Sequence, residues 1–307
     1  MQGWILYKDS LQALKPEAFA VKRLVETAEL MGIDLQVYRP EEIDIIVNRE
    51  DRKSIRVNGK ISQLPDFVIP RMGAAGITYF TMAVLRHLER MGVRSFNPSG
   101  SVDIVKDKLY QLQILAAHNL PIPRTMLAKF PVDADLVEQQ IGFPAVVKAL
   151  SGSRGRAVFL TPDKTSFSDI MQFQEATNKG ANIIIQEFIE NSFGRDLRVF
   201  VVGGKVKAVM MRQAANGNFK ANYSLGGEVY QFASSGEIES LAYDITRILN
   251  LDITGIDLLF DKDGSYKICE VNASPGFKGI EKCCDVDIAR EILSYILEEV
   301  IQTSPVQ

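Results

Sequence analysis

Residues 253–279, ITGIDLLFDKDGSYKICEVNASPGFKG, constrain this chain more than any other stretch, because they set two carboxylates and an amide on one face of a hairpin. Asp263-Gly264 is a turn signal between two β-rich runs, 253–260 and 266–271. With those two residues as the loop, Lys262 pairs with Ser265, and counting outward sets Asp257 opposite Glu270. Asn272 then shares their face. Two carboxylates about 5 Å apart repel by about 3 kcal/mol at an effective dielectric near 20. Oxygen donors with neither histidine nor thiolate point to magnesium or manganese, with water and phosphate oxygens completing the shell. A solvated face with one carboxylate protonated or paired to a lysine is the alternative, and a bulged three-residue turn would break the shared face.

The chain has 307 residues, long for one compact unit and suited to two or three. Its 46% hydrophobic content can fill sizeable cores. No apolar run approaches the ~20 residues of a membrane span, and the sequence starts directly in a strand-like segment, 4–7. The expectation is a soluble, unprocessed, cytoplasmic protein without a membrane partner. A net charge of −3 removes any bulk argument for nucleic-acid binding. Three cysteines, Cys269, Cys283 and Cys284, cannot all pair, which fits a reducing compartment. The two histidines, His87 and His118, lie in helical patterns and are expected on helix surfaces, which argues against a serine or cysteine triad and a histidine-rich zinc site. Oligomeric state, including a homo-oligomer, stays open.

Strands and helices alternate up to about residue 98: strands at 4–7, 33–38 and 67–70, helices near 16–31 and 78–91, a strand at 94–96, and a small hairpin around Asn58-Gly59. This predicts an α/β layer with a mainly parallel sheet over 1–98. Asn97-Pro98-Ser99-Gly100 marks a boundary. A second block, 99–188, opens with a helix near 106–118. It continues with strands at 124–127, 144–148, 156–160 and 182–188 and helices near 134–140 and 165–177. The third, 189–307, holds strands at 197–202 and 205–212, a helix near 237–250 behind a Ser234–Glu237 capping box, the hairpin, and a last helix near 287–301.

Between two strands, Lys148-Ala149-Leu150-Ser151-Gly152-Ser153-Arg154-Gly155-Arg156 forms a glycine-rich turn carrying cations. Glycines admit phosphate oxygens to the backbone, and a lysine leaving a buried strand delivers a point charge to them. The loop lacks the P-loop spacing, and G-x-G-x-x-G is absent, so a hairpin turn with solvated arginines explains it equally well. Gln186-Glu187-Phe188-Ile189 ends an apolar strand where backbone groups could meet an adenine edge, although Phe188 and Ile189 suit a core as well. Asp196, Arg198, Arg212, Lys220 and Asn222 follow on or near strands.

The order of these elements, lysine on a strand, glycine flap, Glu-aromatic hinge, basic strands and Asp…Glu-x-Asn, resembles the ATP-grasp ligases. Val68-Ile69-Pro70-Arg71-Met72-Gly73, Lys106-Asp107-Lys108, Asn222 to Gly227 and Glu270 to Glu281 resemble the RimK-type glutamate ligases over nearly the whole chain. Gly155-Arg156-Ala157-Val158 departs from the Gly-x-Gly-Val of many bacterial members, and Ser-Leu-Gly-Gly is similar to animal N-acetylaspartylglutamate synthetases. The resemblance implies a parallel α/β pre-ATP-grasp domain followed by a two-lobed ATP-grasp fold. It implies that Lys108 and Lys148 neutralise ATP phosphates under a flap containing Gly152, Ser153 and Gly155. Glu187, Phe188 and Ile189 would surround adenine, while Asp196 and Lys220-Ala221-Asn222 would line the nucleotide.

By the same resemblance, Asp257, Glu270 and Asn272 would hold two magnesium ions, or manganese, with Glu270 bridging. Arg212 would stabilise the transferring phosphoryl group and the acyl phosphate, and Arg71 and Arg198 would clamp substrate carboxylates. Phosphoryl transfer to a carboxylate needs charge neutralisation and alignment more than a nucleophilic side chain, so scarce histidine is no obstacle. The expected activity is ATP-dependent ligation of glutamate, or a similar acidic amino acid, to a carboxylate. A protein C-terminus, N-acetylaspartate, citrate, a cofactor tail and free glutamate are the acceptors considered. A nucleotide-binding regulator without ligase activity, and a ligase for a different amino acid, are the alternatives.

Overall fold

The computed structural model describes residues 1–9, 11, 16–47, 54–73, 76–150, 158–178, 180, 182–215, 218–219 and 227–303. The first third comprises β1 (Gln2–Leu6), α1 (Pro16–Leu30), β2 (Asp34–Tyr38), β3 (Ile43–Ile45), β4 (Ile55–Val57), β5 (Lys60–Ile61), β6 (Phe67–Pro70), α2 (Tyr79–Arg90) and β7 (Arg94–Ser95). Its four-stranded sheet runs β2-β1-β6-β7, all parallel, as strands alternating with helices predict. The chain goes out from β1 to β2 and returns on the other side at β6. The C-terminal ends of β1 and β6 therefore form a topological switch point, where open α/β sheets take ligands. The small sheet β3-β4-β5 is antiparallel and turns at Asn58-Gly59, both at positive φ (51° and 75°), as an Asn-Gly turn requires.

Two helices, α3 (Ser99–Lys106) and α4 (Lys108–Ala117), replace the single one expected over 106–118. Asp107 separates them: its backbone is extended, and its carboxylate accepts from the amides of Leu109 and Tyr110, capping α4. The Ser-Gly-Ser start of α3 carries little helix propensity, which hides it from a pattern reading.

The middle region contains β8 (Thr125–Leu127), α5 (Ala134–Gln140), β9 (Ala145–Ala149), β10 (Val158–Thr161), α6 (Lys164–Thr177) and β11 (Ile183–Glu187). Its antiparallel sheet runs β10-β9-β11-β8. The last region holds β12 (Arg195–Val202), β13 (Lys205–Gln213), β14 (Glu228–Gln231), α7 (Gly236–Leu249), β15 (Ile253–Phe260), β16 (Tyr266–Asn272), α8 (Lys278–Cys283) and α9 (Ile288–Thr303). Its sheet runs β14-β13-β12-β15-β16, again antiparallel. The cap of α7 is Ser235, one residue beyond the expected Ser234; its hydroxyl accepts from the Ile238 amide at 3.3 Å.

Two apolar cores cross from the first region into the last. Trp4, Leu6 and Val68 belong to one cluster with Leu197, Val199 and Ile256. Ile5, Phe67 and Phe96 belong to another with Phe200, Phe277 and Leu293. The middle region has its own cluster, centred on Val147, Phe167 and Ile185. His87 departs from the surface expectation. It is buried, its Nε2 2.8 Å from the Ser54 hydroxyl. No described helix is long and apolar enough to cross a membrane.

Candidate active site

The strand registers of the last sheet assemble the site. Period-2 alternation puts Asp196 and Arg198 of β12 on one face while Leu197 and Val199 fill the core behind them. Across the strands, Asp196 pairs with Arg212, Arg198 with Asp257, Asp257 with Glu270, and Gly255 with Asn272. The Asp257–Glu270 pairing is the one expected, but the chain reaches it differently. The turn spans three residues, Lys262–Gly264, closed by Asp261 N–H donating to the Ser265 carbonyl at 2.8 Å, with Asp263 and Gly264 at positive φ. That shifts the pairing so that Leu258 faces Ile268. A bulge at Cys269 then inserts one residue and restores Asp257 to Glu270.

Asp257 is held by two guanidiniums. Arg198 makes a two-point contact, with Nη2 2.9 Å from Oδ2, and Arg212 places Nη2 3.0 Å from the same oxygen. Arg212 also forks onto Asp196 at 2.6 and 2.8 Å. Burial would raise the Asp257 carboxyl, but the charges of Arg198 and Arg212 outweigh it and hold the pKa down at about 2. Burial raises that of Asp196 against the pull of Arg212, with the charge of Asp257 adding to the rise. Gly255 is required by this packing. A Cβ there would lie 2.8 Å from the Pro275 side chain and 3.1 Å from the Arg198 guanidinium.

Glu270 sits at the rim, its side chain 41% exposed, and pairs with Lys108 from the start of α4. The Asn272 Oδ1 accepts from the Ser274 amide at 2.9 Å. Lys148 comes from the middle region on β9. Its Nζ donates to the Gln186 Oε1 at 2.6 Å and lies 3.5 Å from the Sγ of Cys269, the bulge residue. Burial, reinforced by Asp257, Glu270 and Asp196 and opposed by Lys148, raises the Cys269 thiol pKa and keeps it neutral. Lys108, Lys148, Arg198 and Arg212 outnumber Asp196, Asp257 and Glu270 by one charge, an electrostatic setting ready for an anion.

Glu187, at the end of β11, is fully engaged. Its N–H donates to the Arg124 carbonyl at 2.9 Å, and its carboxylate accepts from the Arg124 amide and guanidinium and from Lys267 at 2.5 Å. Burial opposes ionisation, but Lys267 and Arg124 still lower its pKa. Phe188 meets Phe193 edge to face, and Ile189 is buried. Arg71 lies beyond β6 and is only 3% exposed. Its Nη2 donates to the Pro275 carbonyl at 2.7 Å, and its Nε has no partner among the described residues. Burial lowers its pKa to about 10, with Glu17 and Tyr7 pulling it back up, so it is charged at neutral pH. Gly152, Ser153, Gly155, Lys220, Ala221 and Asn222 lie outside the described residues.

Sequence reasoning did not single out Gln186, which orients Lys148, or Arg124 and Lys267, which occupy Glu187. All three depend on contacts between segments 38 to 80 residues apart.

The RimK-like ATP-grasp domain model matches residues 105–296, and the RimK PreATP-grasp domain model matches 11–102. A probable alpha-L-glutamate ligase of Legionella pneumophila (strain Corby) is 37% identical over 293 residues, covering 94% of this chain and 95% of the relative. The chain belongs to the RimK-like ATP-grasp family. A probable alpha-L-glutamate ligase 2 of Shewanella baltica (strain OS155 / ATCC BAA-1091) is 36% identical and covers 95% of both chains. Among solved structures, the ATP-grasp ligase PsnB complexed with minimal precursor, Mg and ADP superposes with a TM-score of 0.73 at 20% identity, covering 98% of each chain. A RimK domain protein ATP-grasp from Sphaerobacter thermophilus DSM 20745 gives 0.70 at 17% identity, covering 96% of this chain and 99% of the other. These two likenesses speak to the fold. As a member of the family the protein is an ATP-dependent carboxylate–amine ligase, of a family that uses ATP and magnesium.

Proposed function

We propose that this ligase adds glutamate, or a closely similar acidic amino acid, to a terminal or small-molecule carboxylate, and that the β12–β16 face is its phosphoryl-transfer site. The observation that carries the reading is the convergence of three cations from separate parts of the chain on one strand face: Lys108 on Glu270, Arg212 on Asp257, and Lys148 on Cys269, the residue beside Glu270. The glutamate assignment draws on the similarity to probable alpha-L-glutamate ligases.

The donors fit a hard cation. Asp257 and Glu270 are cross-strand neighbours with Asn272 one step along the same face. Among the described residues no group of three or more His, Cys, Asp or Glu side chains could hold a metal ion. Magnesium, or manganese in its place, would take the Asp257 and Glu270 carboxylates with Asn272 and leave positions for phosphate oxygens. When bound, in two copies on this reading, it supplies charge neutralisation for the triphosphate.

Lys148 and Lys108 each sit on an exchangeable partner, Gln186 and Glu270, and would turn to phosphate oxygens when a nucleotide enters. Arg212, fixed by two carboxylates, provides an immobile positive charge for the equatorial oxygens of the transferring group. An acceptor carboxylate oxygen attacks the γ-phosphorus, the bond to ADP breaks, and an acyl phosphate forms. The amino acid's amine then attacks the acyl carbon, phosphate leaves, and the amine proton is lost as the amide forms.

The carboxylate of acceptor or amino acid is assigned to the switch point of the parallel sheet. There Arg71 Nε and the Tyr7 hydroxyl are both buried without hydrogen-bond partners among the described residues, one beyond β6 and the other beyond β1. Arg198, occupied by Asp257, serves that carboxylate only indirectly on this reading. The Phe188 backbone and Ile189 would border adenine beside Glu187, and Asp196 would contribute to the nucleotide site; Gly152, Ser153, Gly155, Lys220, Ala221 and Asn222 are assigned to nucleotide binding by the family resemblance. We divide the chain at 98 and 188 and place the enzyme in the cytoplasm. Incubating the protein with host-cell extract, ATP, magnesium and isotopically labelled glutamate tests the reading. ATP-dependent mass shifts of one or more labelled residues are expected, and their absence with active, ATP-hydrolysing protein would remove glutamate as the amine.

A further inference from the structure

Two buried carboxamides, both distant in sequence from β16, close on its backbone on either side of Asn272. Gln111, on α4 and 1% exposed, accepts from the Val271 N–H at 2.7 Å and donates its Nε2 to the Val105 carbonyl at 2.9 Å. Asn97, just beyond β7 and fully buried, donates its Nδ2 to the Ala273 and Ile253 carbonyls, both at 2.7 Å. Its Oδ1 accepts from the Asp252 and Ile253 amides at 2.6 and 2.8 Å. All the hydrogen-bonding capacity of the Asn97 amide is thereby used. The Thr254 hydroxyl adds a third hold, donating to the Asn272 carbonyl at 2.9 Å.

This grip falls on a strand that would otherwise be loose. β16 is the outermost strand of its sheet, and an edge strand leaves half its backbone groups unpaired. Two N–H groups of this strand go to partners outside the sheet: Pro121 accepts from the Ile268 N–H at 2.7 Å and Gln111 from Val271. Apolar side chains of similar volume would fill the same space without the desolvation of an amide, so filling space does not account for these two residues. What they do is fix the peptide groups of Val271 and Ala273, the immediate neighbours of Glu270 and Asn272.

We infer that Asn97 and Gln111 are positioning residues for the metal–nucleotide site, acting through the β16 backbone on Glu270 and Asn272. The inference rests on the assignment of those two side chains made under the proposed function. It extends that site to the first domain and to α4, which between them supply both amides. Outer-shell partners of metal ligands act in this way by restricting the ligands' orientation, and removing one typically weakens metal affinity about 10- to 100-fold.

The test is calorimetric titration of the full chain with ADP at a series of magnesium concentrations, read together with thermal melting. Gln111→Leu and Asn97→Asp are expected to raise the magnesium concentration for half-maximal ADP binding by about tenfold or more. Gln111→Glu, which in its neutral form keeps an acceptor for Val271 and a donor for Val105, is expected to return that requirement close to wild type. Thr161→Val removes a buried hydroxyl bond to the Ala145 carbonyl in the middle region, and should lower the melting temperature with no change in magnesium requirement. Folded Gln111→Leu protein with a wild-type requirement overturns the inference, as does a Thr161→Val variant that shifts it equally. Should Asn97→Asp fail to fold, Gln111→Leu decides alone, and Gln111→Met replaces it if needed. Wild-type protein that binds ADP without any magnesium dependence overturns the metal-site reading itself; magnesium-dependent wild type with unaffected variants overturns only the role of the two amides.

Discussion

The middle region and the last region face each other across the site, and they are held in place by different forces. The last sheet shares two apolar cores with the first region, so its oxygen-bearing face rests on buried apolar packing contributed by both. The middle region closes its own small core and meets the last sheet through polar contacts: Lys148 to Cys269 and Lys267 to Glu187. Partly exposed polar contacts are individually worth little and exchange readily for ligand atoms, whereas buried apolar area does not. On the proposed function, one wall keeps its geometry and the other changes partners when a triphosphate arrives.

The sharpest way to break this comparison is to change the chemistry of the rigid wall without touching its packing. Glu270→Gln removes a charge at an exposed rim, and turnover is expected to fall about 100-fold or more with the circular dichroism spectrum retained; near-normal turnover in a ligation assay would refute the assignment. The next largest effect concerns the cores. Phe200→Ala should destabilise the first and last regions together by about 3–5 kcal/mol, because its ring belongs to the shared cluster. Phe167→Ala should cause a loss of similar size confined to the middle region. Hydrogen exchange resolved by segment separates the two outcomes, and joint loss in both variants would mean that the molecule unfolds as one unit.

How much of this was legible beforehand follows the range of the contacts involved. The parallel first sheet and the Asp257–Glu270 pairing depend on local alternation and a turn signal, and both could be read from residues. Yet the pairing was reached by assuming a two-residue turn where the chain uses three residues and a bulge at Cys269, two one-residue displacements that cancel. Nothing in the run Tyr266 to Asn272 announces that bulge. The contacts of Gln111, and those of Asn97, which the sequence marks only as part of a boundary, are hidden for a different reason. Their partners on or next to β15 and β16 lie 155 to 176 positions away, and a lone amide in a helix or loop has no pattern to mark it. His87 was misplaced because helical periodicity locates a face but not what another loop, here at Ser54, brings against it.

A smaller effect probes the exchangeable wall. The Glu187 carboxyl has its pKa lowered in the folded state, so its contribution is present above the ordinary carboxylate range and is lost as pH falls through the lowered value. Arg124, Lys267 and Asp261 are the charged groups around it. Amides of β11 are expected to lose protection in acid before those of β12 and β15; simultaneous loss would contradict the polar tether. The smallest expected change is about 1 kcal/mol for Ser235→Ala, the cap of α7, registered in the melting of the shared body. The matching Asp163→Ala at α6 should appear only in exchange from the middle region.

The most direct test of the central claim is calorimetric binding of a non-hydrolysable ATP analogue to wild type and to Asn272→Ala, each with and without magnesium. Wild type should bind more tightly with the cation present, and the variant should lose most of that gain while its magnesium-free affinity stays unchanged. Equal magnesium enhancement in both proteins would contradict the claim that this strand face anchors the metal–nucleotide complex.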